Sequence, residues 1–409
     1  MRMKKVIMLF ASCILSMMIL SRNVWAGGED QDITWTIQWK GLSYTGNYSG
    51  DIAFGRPNGY GEFRGMISKD YKAEGQIIYN GEWLDGRMQG EGILTDKTAG
   101  ISYEGTFSEN QLNGRTKEIF LKGEEKDYYL IKRYSKDVPY ELSIKYNPQE
   151  KKTGYDCYFN GISVGEIRAA ARTFSYDELS YHPKEHTNQE IKLRGQVISI
   201  YDEQFTEEKT SSSETSTGDD ETENILYRRI IKVADKDGNE YALSYILNQD
   251  KLNTVYVPVL KKGDDITVYG YYSGISDLGG YHLPFIDLVY ARWSKKDEPD
   301  IRKLNYSYKD FLNYPYLFKH KSIALKGTVV GTCKAEGDWL YIFVDSDTHS
   351  KKQKSRYVCR VSNEKAVIDN LPKPGKRIHL RGSLQGLEMC GQKGEALKFY
   401  PLLNVMLIL

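Results

Sequence analysis

One pattern of aromatic residues and glycines occurs three times early in the chain, and it restricts the fold more than any other feature. The copies span residues 48–61, 79–92 and 103–116. Their shared positions are Tyr48, Gly50, Gly59 and Gly61, then Tyr79, Gly81, Trp83, Gly90 and Gly92, then Tyr103, Gly105 and Phe107. A unit of this length with alternating aromatics fits one β-hairpin, which cannot bury its own face. The repeats therefore predict a sheet of stacked hairpins.

The details of each copy predict its turns and its packing. The dipeptides Asn58-Gly59 and Asp85-Gly86 favour tight turns, because these residue types tolerate positive φ. The closing Gly-x-Gly leaves a lane without side chains, where we expect an aromatic of the next hairpin to lie. Trp83 and Phe107 share one offset, so we expect them to stack on one face, which is either packed or open to a ligand. Thr116 replaces a glycine in the third copy, as is typical of a terminal repeat.

The pattern resembles the MORN repeat, Tyr-x-Gly-x-Trp/Tyr followed by Gly-x-Gly. The resemblance implies a scaffold that contacts proteins or lipids, and it assigns no catalytic residue. The spacing is uneven, because 31 residues separate the first two tyrosines and 24 separate the next two. The excess, around residues 65–74, is either a longer hairpin or an unrecognised half repeat.

The first 26 residues are typical of an export signal. Arg2, Lys4 and Lys5 form a basic start. Residues 6–20 are an apolar run too short for a comfortable membrane span, and Ala26 offers a small residue for cleavage. An uncleaved anchor is the alternative. Cleavage would remove four basic residues and no acid, leaving a net charge of about −3, so a charged site must come from local clustering.

Four cysteines lie beyond the signal, and they include no Cys-x-x-Cys. They are Cys157, Cys333, Cys359 and Cys390. The six histidines have no metal-ligand spacing, so we expect no zinc and no other cofactor. One bridge among the last three cysteines and isolated buried thiols are the two alternatives.

Residues 118–168 continue the strand-like pattern of the repeats. Asn160-Gly161 is predicted to turn a hairpin whose second strand runs to Gly165. A second duplication then follows, with a constant offset of 132 residues. Ser175 and Ser307 each begin a capping box, which predicts a short helix ended by the proline that follows.

Each duplicated half continues as three strands, a helix and two strands. This order resembles the OB-fold, a Greek-key barrel, and implies barrel bends at Gly195 and Gly327. The helix-like pieces are residues 248–260 and 363–370. The predicted fold class is therefore all-β, with a MORN-type β-hairpin repeat sheet followed by two five-stranded OB-like barrels.

The predicted domain bounds follow from these patterns. They are 1–26 for the signal, 27–168 for the repeat sheet, 169–293 for the first barrel, 294–305 for a charged linker and 306–409 for the second barrel. Residues 203–224 are rich in Ser, Thr, Glu and Asp, which predicts a disordered acidic loop within the first barrel.

Alternation along the strands predicts a ligand surface outside the first barrel. Inward positions are Ile191, Leu193 and Val197 on strand one, and Tyr227, Ile231 and Val233 on strand two. The outward residues that form the predicted surface are Lys192, Arg194, Arg228, Lys232, Tyr269 and Tyr271. Cations beside aromatic rings suit an anionic chain, with which the acidic loop would compete as an internal decoy. Scattered solvated cations are the alternative.

Catalytic motifs are scarce in this sequence. Residues 344–348 resemble a metal-binding stretch of thermonucleases, although Ser346 replaces its glycine, and a plain Asp-rich turn is the alternative. The sequence favours a secreted, non-enzymatic binding or scaffold protein of the bacterial cell envelope. Its expected partner is an envelope protein, a lipid or an anionic glycopolymer, with nucleic acid less favoured. A degenerate OB-fold nuclease or another envelope-acting hydrolase is the alternative.

Overall fold

The computed structural model describes residues 31–67, 75–206, 225–247, 254–296, 298–300, 306–347, 355–391 and 398–408. The chain divides into two compact units, residues 1–127 and 128–409, so the boundary falls inside the predicted region 27–168. The predicted signal at 1–26 lies outside the described residues. None of the helices in the described part is long and apolar enough to cross a membrane.

The first unit is built from consecutive antiparallel strands. They are β1 (Gln31–Trp39), β2 (Leu42–Ala53), β3 (Arg56–Ile67), β4 (Gln76–Leu84), β5 (Arg87–Asp96), β6 (Ile101–Ser108) and β7 (Gln111–Phe120). Each pairs with the next. The three repeats thus form the hairpins β2–β3, β4–β5 and β6–β7, as predicted.

Two-residue turns with positive φ at both positions close these repeat hairpins. They are Phe54-Gly55, Asp85-Gly86 and Glu109-Asn110, and this conformation matches the twist of the paired strands. The predicted turn at Asp85-Gly86 is confirmed, whereas the one at Asn58-Gly59 is wrong. Gly59 lies inside β3 with φ +115°, beside a register shift opposite β2. Its positive φ therefore serves a β-bulge and not a turn.

The repeat aromatics form one buried face. Trp83 and Phe107 are 3% and 1% exposed, on the same face, as their shared offset predicts. Their rings do not stack directly, because Tyr79 lies between them at centroid distances of 5.2 Å and 5.0 Å. Trp83 Nε1 also donates a hydrogen bond to the Gly61 carbonyl at 3.2 Å. The face is packed.

The glycine lanes hold the tyrosine of the same hairpin, not an aromatic of the next hairpin as predicted. A Cβ at Gly92 would clash with the Tyr79 ring, and the Tyr79 hydroxyl donates to the Glu82 carbonyl at 3.0 Å. Tyr48 lies over Gly61 in the same way. The equivalent hairpin position in the third repeat is the fully buried Thr116.

Thr116 accounts for the different position of the third repeat tyrosine. Its side chain occupies the lane opposite Gly105. The Tyr103 hydroxyl accepts a hydrogen bond from Lys40 Nζ at 2.9 Å, and its ring packs edge-on against Trp39 at 5.8 Å. The degenerate third repeat therefore joins its tyrosine to the β1–β2 turn.

The second unit begins with two further hairpins and a helix. Its first elements are β8 (Tyr129–Ser135), β9 (Val138–Tyr146), β10 (Lys152–Phe159), β11 (Ile162–Ser163) and α1 (Val164–Ala170). The predicted turn at Asn160-Gly161 is confirmed, because both residues have positive φ between β10 and β11. The predicted continuation of the strand to Gly165 is wrong. Ser163 caps α1 by accepting from the Glu166 amide, which ends the strand.

Two closed five-stranded barrels follow. The first contains α2 (Tyr176–Tyr181), α3 (Pro183–His186), β12 (Glu190–Thr206), β13 (Ile225–Ala234), β14 (Glu240–Ile246), β15 (Asp265–Asp277) and β16 (His282–Trp293). The second contains α4 (Tyr308–Asn313), α5 (Pro315–Phe318), β17 (Ser322–Glu336), β18 (Trp339–Ser346), β19 (Ser355–Ser362), α6 (Lys365–Asn370), β20 (Arg377–Cys390) and β21 (Lys398–Ile408). Their strand orders are β12-β13-β14-β16-β15 and β17-β18-β19-β21-β20. The predicted all-β fold class is confirmed.

The duplication extends to backbone detail. Both capping boxes form, at Ser175 and at Ser307. The first strand of each barrel shifts register at equivalent places, between 197 and 199 and between 329 and 331. Asn188 and His320, which are also 132 positions apart, have φ of 66° and 64° just before these strands. The capped helices α2 and α4 end before Pro183 and Pro315, as predicted, and each proline then begins the next short helix, since proline fits a first helical turn.

Two predictions for the first barrel need correction. Residues 254–260 form no helix, and Tyr256 instead bridges to Tyr290 of β16, while 248–253 lie outside the described residues. The predicted loop 203–224 begins too early, because β12 extends to Thr206. Glu203 is held in the strand by pairing with Arg228 of β13. Residues 207–224 are outside the described part of the chain.

A buried carboxylate ties β9 to the second barrel. The side chain of Glu141 is 8% exposed, and it accepts a hydrogen bond from Lys319 Nζ. His320 Nε2 lies 2.8 Å from its other oxygen. Burial alone would raise the pKa of Glu141, but the hydrogen bond from His320 and the charge of Lys319 lower it to about 2. The folded chain therefore holds this carboxyl group ionised.

Glu141→Gln is expected to destabilise the second unit by about 1–3 kcal/mol at pH 7, because it removes the charge from these hydrogen bonds. The folded pKa of about 2 lies below the ordinary 4.5. The ionised Glu141 carboxylate thus contributes its full stabilisation above about pH 4.5, and this stabilisation is lost as the pH falls toward 2. Denaturant titrations would measure the free energy of unfolding of Glu141→Gln and of the unaltered protein at pH 7 and pH 3. The difference between the two proteins should be smaller at pH 3 than at pH 7. An equal difference at both pH values, or an equal loss in the exposed control Glu150→Gln, would contradict this assignment.

Candidate functional site

The six residues of the predicted ligand surface fall into two stretches of the first barrel. Residues 190–196 of β12 pair with β15, whereas 196–206 pair with β13. Lys192 therefore lies opposite Tyr269, and Glu190 lies opposite Tyr271. Arg228 and Lys232 lie beyond the register shift, on the β13 side. The structure does not present these six side chains as one continuous patch.

The arginines of β13 are neutralised by acids of β12. Arg228 forms an ion pair with Glu203, with both side chains about one-third exposed. Its neighbour Arg229 binds both oxygens of Asp202, at 2.7 Å and 2.8 Å. Tyr227 was predicted to point inward, but it is 43% exposed. Tyr227 pairs with Gln204 near the end of the β12–β13 ladder. The strands extend there beyond the packed interior of the barrel, so an inward position is not buried.

The aromatic residues of β15 are covered by the hairpin and helix that precede the barrel. Tyr269 was predicted to point outward into solvent, but it is only 5% exposed. Arg168 of α1 lies over its ring at 5.6 Å, and Lys192 lies at 6.0 Å. Tyr271 is partly buried, with Phe159 of β10 at 6.5 Å. Alternation gave the correct face for these rings, but α1 and β10 occupy that face.

The outer face of the central strands is covered as well. A small apolar cluster joins Ile230 of β13 and Ala242 of β14 to the β15–β16 hairpin through Leu278, Leu283 and Phe285. The second barrel repeats this arrangement on β18 and β19, where Phe343 and Val358 pack with Cys390. Lys232 lies over the Tyr281 ring of the covering hairpin at 4.6 Å. Each barrel therefore covers this outer face with its own chain.

A groove of about 900 Å³ opens on the first barrel beside the register shift of β12. Its aromatic wall is formed by Phe174, Tyr176 and Tyr241. Its cations are Arg194, Lys236 and Lys295, and its acids are Asp177, Asp235, Asp237 and Asp265. Arg194 is the one residue of the predicted surface that lines this groove. The groove combines stacking rings with closely spaced charges of both signs.

Most of the groove charges already have partners. Lys295 pairs with Asp265 at 2.6 Å, and Lys236 lies 3.7 Å from Asp237. Burial would raise the pKa of Asp235, but hydrogen bonds from Asn239 outweigh it and lower the pKa. Arg194 is exposed, and among the described residues no acid pairs with it. The groove therefore offers one guanidinium for an external anion.

The second barrel has a smaller groove at the equivalent place. The cross-strand pairs Gln196–Ala234 and Thr328–Asp345 correspond, and each lines the groove of its barrel. The second groove measures about 390 Å³. Arg356 reaches both oxygens of Asp345 at 2.7 Å and 3.2 Å. This ion pair lies in the wall of the smaller groove.

The same ion pair engages the acids of the thermonuclease-like stretch. Asp345 is bound to Arg356, Asp347 is bound to Arg377, and residue 348 lies outside the described part. Within the described residues, no three His, Cys, Asp or Glu side chains are grouped as metal ligands would be. The local geometry is that of an Asp-rich strand end with paired charges.

A carboxylate of the predicted linker forms a contact that the sequence did not indicate. The hydroxyl groups of Tyr155, Tyr290 and Tyr316 all donate to Glu298, the last two at 2.5 Å and 2.7 Å. Burial, and then the charge of Glu298, raise the pKa of all three tyrosines. The tyrosines belong to β10, β16 and α5, so residues distant in sequence meet only in the folded unit. Glu298 therefore fastens the linker to its surroundings.

These features define an all-β protein of hairpin repeats and closed barrels, and the comparisons with known proteins agree for the repeats. The MORN repeat family model matches residues 48–65, 79–98 and 103–120, so the chain contains three MORN repeats. No curated protein matches the chain. Among solved structures, one match is a chain from "Structure and Conformational Change of a Replication Protein A Heterotrimer Bound to ssDNA". It is 8% identical in sequence, and the match covers 93% of this chain and 95% of that chain with a TM-score of 0.21. That similarity is too low to carry an argument.

Proposed function

We propose that this protein is a non-enzymatic binding scaffold that acts outside the cell, at a bacterial envelope. Its MORN repeats form a sheet with a packed aromatic face, which supports a scaffolding role. We further propose that the two barrels are OB-folds, which is supported by their strand order and by the short helix between the third and fourth strands of the second barrel. Binding then takes place at the groove of the first barrel.

The disulfide supports a location outside the cytoplasm. Cys333 and Cys390 are bonded, as one of the two sequence alternatives allowed, while Cys157 and Cys359 are buried thiols. Disulfides persist mainly in oxidising compartments. This agrees with the export signal predicted at residues 1–26.

The single observation that carries the ligand assignment is the exposed Arg194 in an aromatic-walled groove. Rings such as Phe174 and Tyr176 can stack on flat apolar faces of a ligand, and the surrounding acids and amides can bind hydroxyl groups. Arg194 can bind one anionic substituent. The acids outnumber the cations in the lining, which disfavours a dense polyanion. We therefore propose a sparsely charged anionic glycopolymer as the ligand.

Arg194→Glu is expected to weaken glycopolymer binding about tenfold or more, because it removes a charge-assisted contact and adds repulsion. Residues 27–409 would be titrated with peptidoglycan fragments, teichoic acid, anionic vesicles and oligonucleotides. The matched control is Lys326→Glu, at the equivalent exposed strand position of the second barrel and outside its groove lining. Equal effects of the two variants, or no binding to either glycan polymer by the unaltered protein, would count against the proposal.

The acidic insertion provides a second test of the same site. If it competes as a decoy, deleting residues 207–224 should tighten binding, most clearly at low salt. The deletion starts at 207 because residues 204–206 belong to β12. Binding would be measured at two salt concentrations. Unchanged affinity at both salt concentrations would exclude a decoy role for the insertion. The groove assignment would then depend on the result for Arg194 alone.

A further inference from the structure

We propose that the outer edge of β1 is a self-association surface, on which β1 of a second copy of this chain pairs antiparallel about a two-fold axis at Trp35. β1 is the first strand of the repeat sheet, and among the described strands only β2 pairs with it. The surface lies in the first unit, and it does not depend on the glycopolymer proposal.

The side of β1 that faces away from β2 carries the backbone groups of four residues. The two-residue turn Lys40-Gly41 closes the β1–β2 hairpin at the pair Trp39–Leu42. This pair exchanges hydrogen bonds, and so does every second residue of β1 before it. The residues between them direct their amides and carbonyls away from β2, and all are exposed: Asp32, Thr34, Thr36 and Gln38.

β1 lacks the features that normally keep an edge strand from pairing. Such strands are usually very short, or they carry lysine, proline or a β-bulge. β1 runs for 9 residues in unbroken register with β2, and it contains no proline and no lysine. At the other end of the sheet, β11 has only 2 residues and leads into α1. β1 is therefore the edge that another strand can extend.

The sequence of β1 identifies a second copy of the chain as the partner. Residues 33–37 read Ile-Thr-Trp-Thr-Ile, which is the same in both directions about Trp35. A two-fold axis brings the same surface of both copies together, so a strand that crosses the axis must be complementary to itself. With the axis at Trp35, Thr34 lies opposite Thr36 of the second copy. Ile33 then lies opposite Ile37 of the second copy.

This register also satisfies the backbone. In an antiparallel pair, hydrogen bonds form where both opposing residues direct their amides and carbonyls at each other. An axis at Trp35 places Thr34 opposite Thr36 and Asp32 opposite Gln38, so all four outward residues are bonded. Any other two-fold register leaves at least one of the four without a partner on β1. The pairing would form about eight backbone hydrogen bonds.

The exposed face of the strand pair brings compatible side chains together. Threonine would meet threonine across the axis, as Thr36 already meets Thr45 of β2 with the hydroxyl oxygens 2.8 Å apart. Asp32 is the one charged residue in β1, and it would lie opposite the neutral Gln38. Like charges therefore do not oppose each other in this register, and cross-strand threonine pairs are favourable.

The other face of the strand pair would cover apolar side chains that β1 leaves partly exposed. Ile33 and Trp35 are only half-buried, whereas Ile37 is buried. The Trp35 ring is held on this face by the hydrogen bond from its Nε1 to the Gly86 carbonyl at 2.9 Å. In the dimer, Ile37 and Trp35 of the second copy would lie beside these residues. The pairing thus removes apolar surface from water.

The test measures the mass of residues 27–409 in solution by sedimentation velocity at increasing concentration. A single strand pair covers less surface than the roughly 1,200–2,000 Å² of a stable interface, so we expect a reversible dimer with a Kd on the order of 10–100 µM. The mass should rise from one chain to two across this range. A mass of one chain up to about 200 µM would overturn the proposal.

Two double variants test the register. Thr34→Lys with Thr36→Lys should weaken the dimer at least tenfold, because like charges then lie opposite each other. Thr34→Lys with Thr36→Glu should keep the dimer, because opposite charges then face each other across the axis. The matched control Thr45→Lys, exposed on the same face of β2, should also keep it. Circular dichroism would confirm that each variant is folded. Equal Kd values for the two double variants would overturn the proposed pairing.

Discussion

Replacing Trp83 by alanine is expected to lower the free energy of unfolding of the first unit by about 3–5 kcal/mol. Trp83 is 3% exposed and is the contact shared by three other rings of the repeat sheet. Tyr48 and Tyr79 meet it edge-on at 5.1 Å and 5.2 Å, and Phe63 lies at 6.1 Å. Removing the indole would open a cavity among rigid rings and leave the Gly61 carbonyl without this donor.

Leu84 provides the matched control for this prediction. It is the next residue of β4 and is 57% exposed on the opposite face. Leu84→Ala should change stability by less than about 0.5 kcal/mol, as is usual for surface positions. Chemical unfolding followed by circular dichroism would measure both variants. A loss below about 1 kcal/mol for Trp83→Ala would mean that the ring is not packed and that the repeat face is open to a ligand.

Removing the Cys333–Cys390 disulfide is expected to destabilise the second unit by about 2–4 kcal/mol. The bond closes a loop across 57 positions, so it restricts the unfolded chain substantially. Cys390 also belongs to the small apolar cluster that covers β18 and β19. Removing the bond should therefore raise the conformational entropy of the unfolded chain and also loosen the hairpin that covers β18 and β19.

The measurement compares the melting temperature with and without reductant. Reductant should lower the melting temperature of the unaltered protein and have no effect on the double variant Cys333→Ser with Cys390→Ser. Burial raises the pKa of both Cys157 and Cys359, so alkylation of the native protein should leave these two thiols unmodified. Identical melting with and without reductant in the unaltered protein would show that the bridge contributes nothing to stability.

The repeats show how much of the fold short-range pattern can specify. The hairpins β2–β3, β4–β5 and β6–β7 follow from alternating aromatics and from residues that accept positive φ. The one wrong turn, at Asn58-Gly59, uses the same residue types, because a β-bulge and a tight turn both need positive φ. Sequence pattern predicts that conformation but does not say which of the two structures will use it.

The predicted ligand surface shows where pattern stops being sufficient. Period-2 alternation correctly identified the outward positions of Lys192 and Arg194 on β12, since the strand geometry sets them. It placed Tyr269 on the outer side of β15 as well. It could not predict that α1 would cover that side and reduce the exposure of Tyr269 to 5%. Only one of the six predicted residues, Arg194, lines the groove.

Local rules acting over a few residues were enough to specify the hairpins, the capping boxes and the outward positions of Lys192 and Arg194, whereas the barrels were predicted from the duplication and from the resemblance of its element order to the OB-fold. Three features depended on contacts between residues far apart in the chain: the choice of Cys333 with Cys390, the three tyrosines on Glu298, and the pairing of Arg228 with Glu203. The physical reason is that strand geometry sets which way a side chain points. What meets it there is decided when distant segments pack together and exclude water.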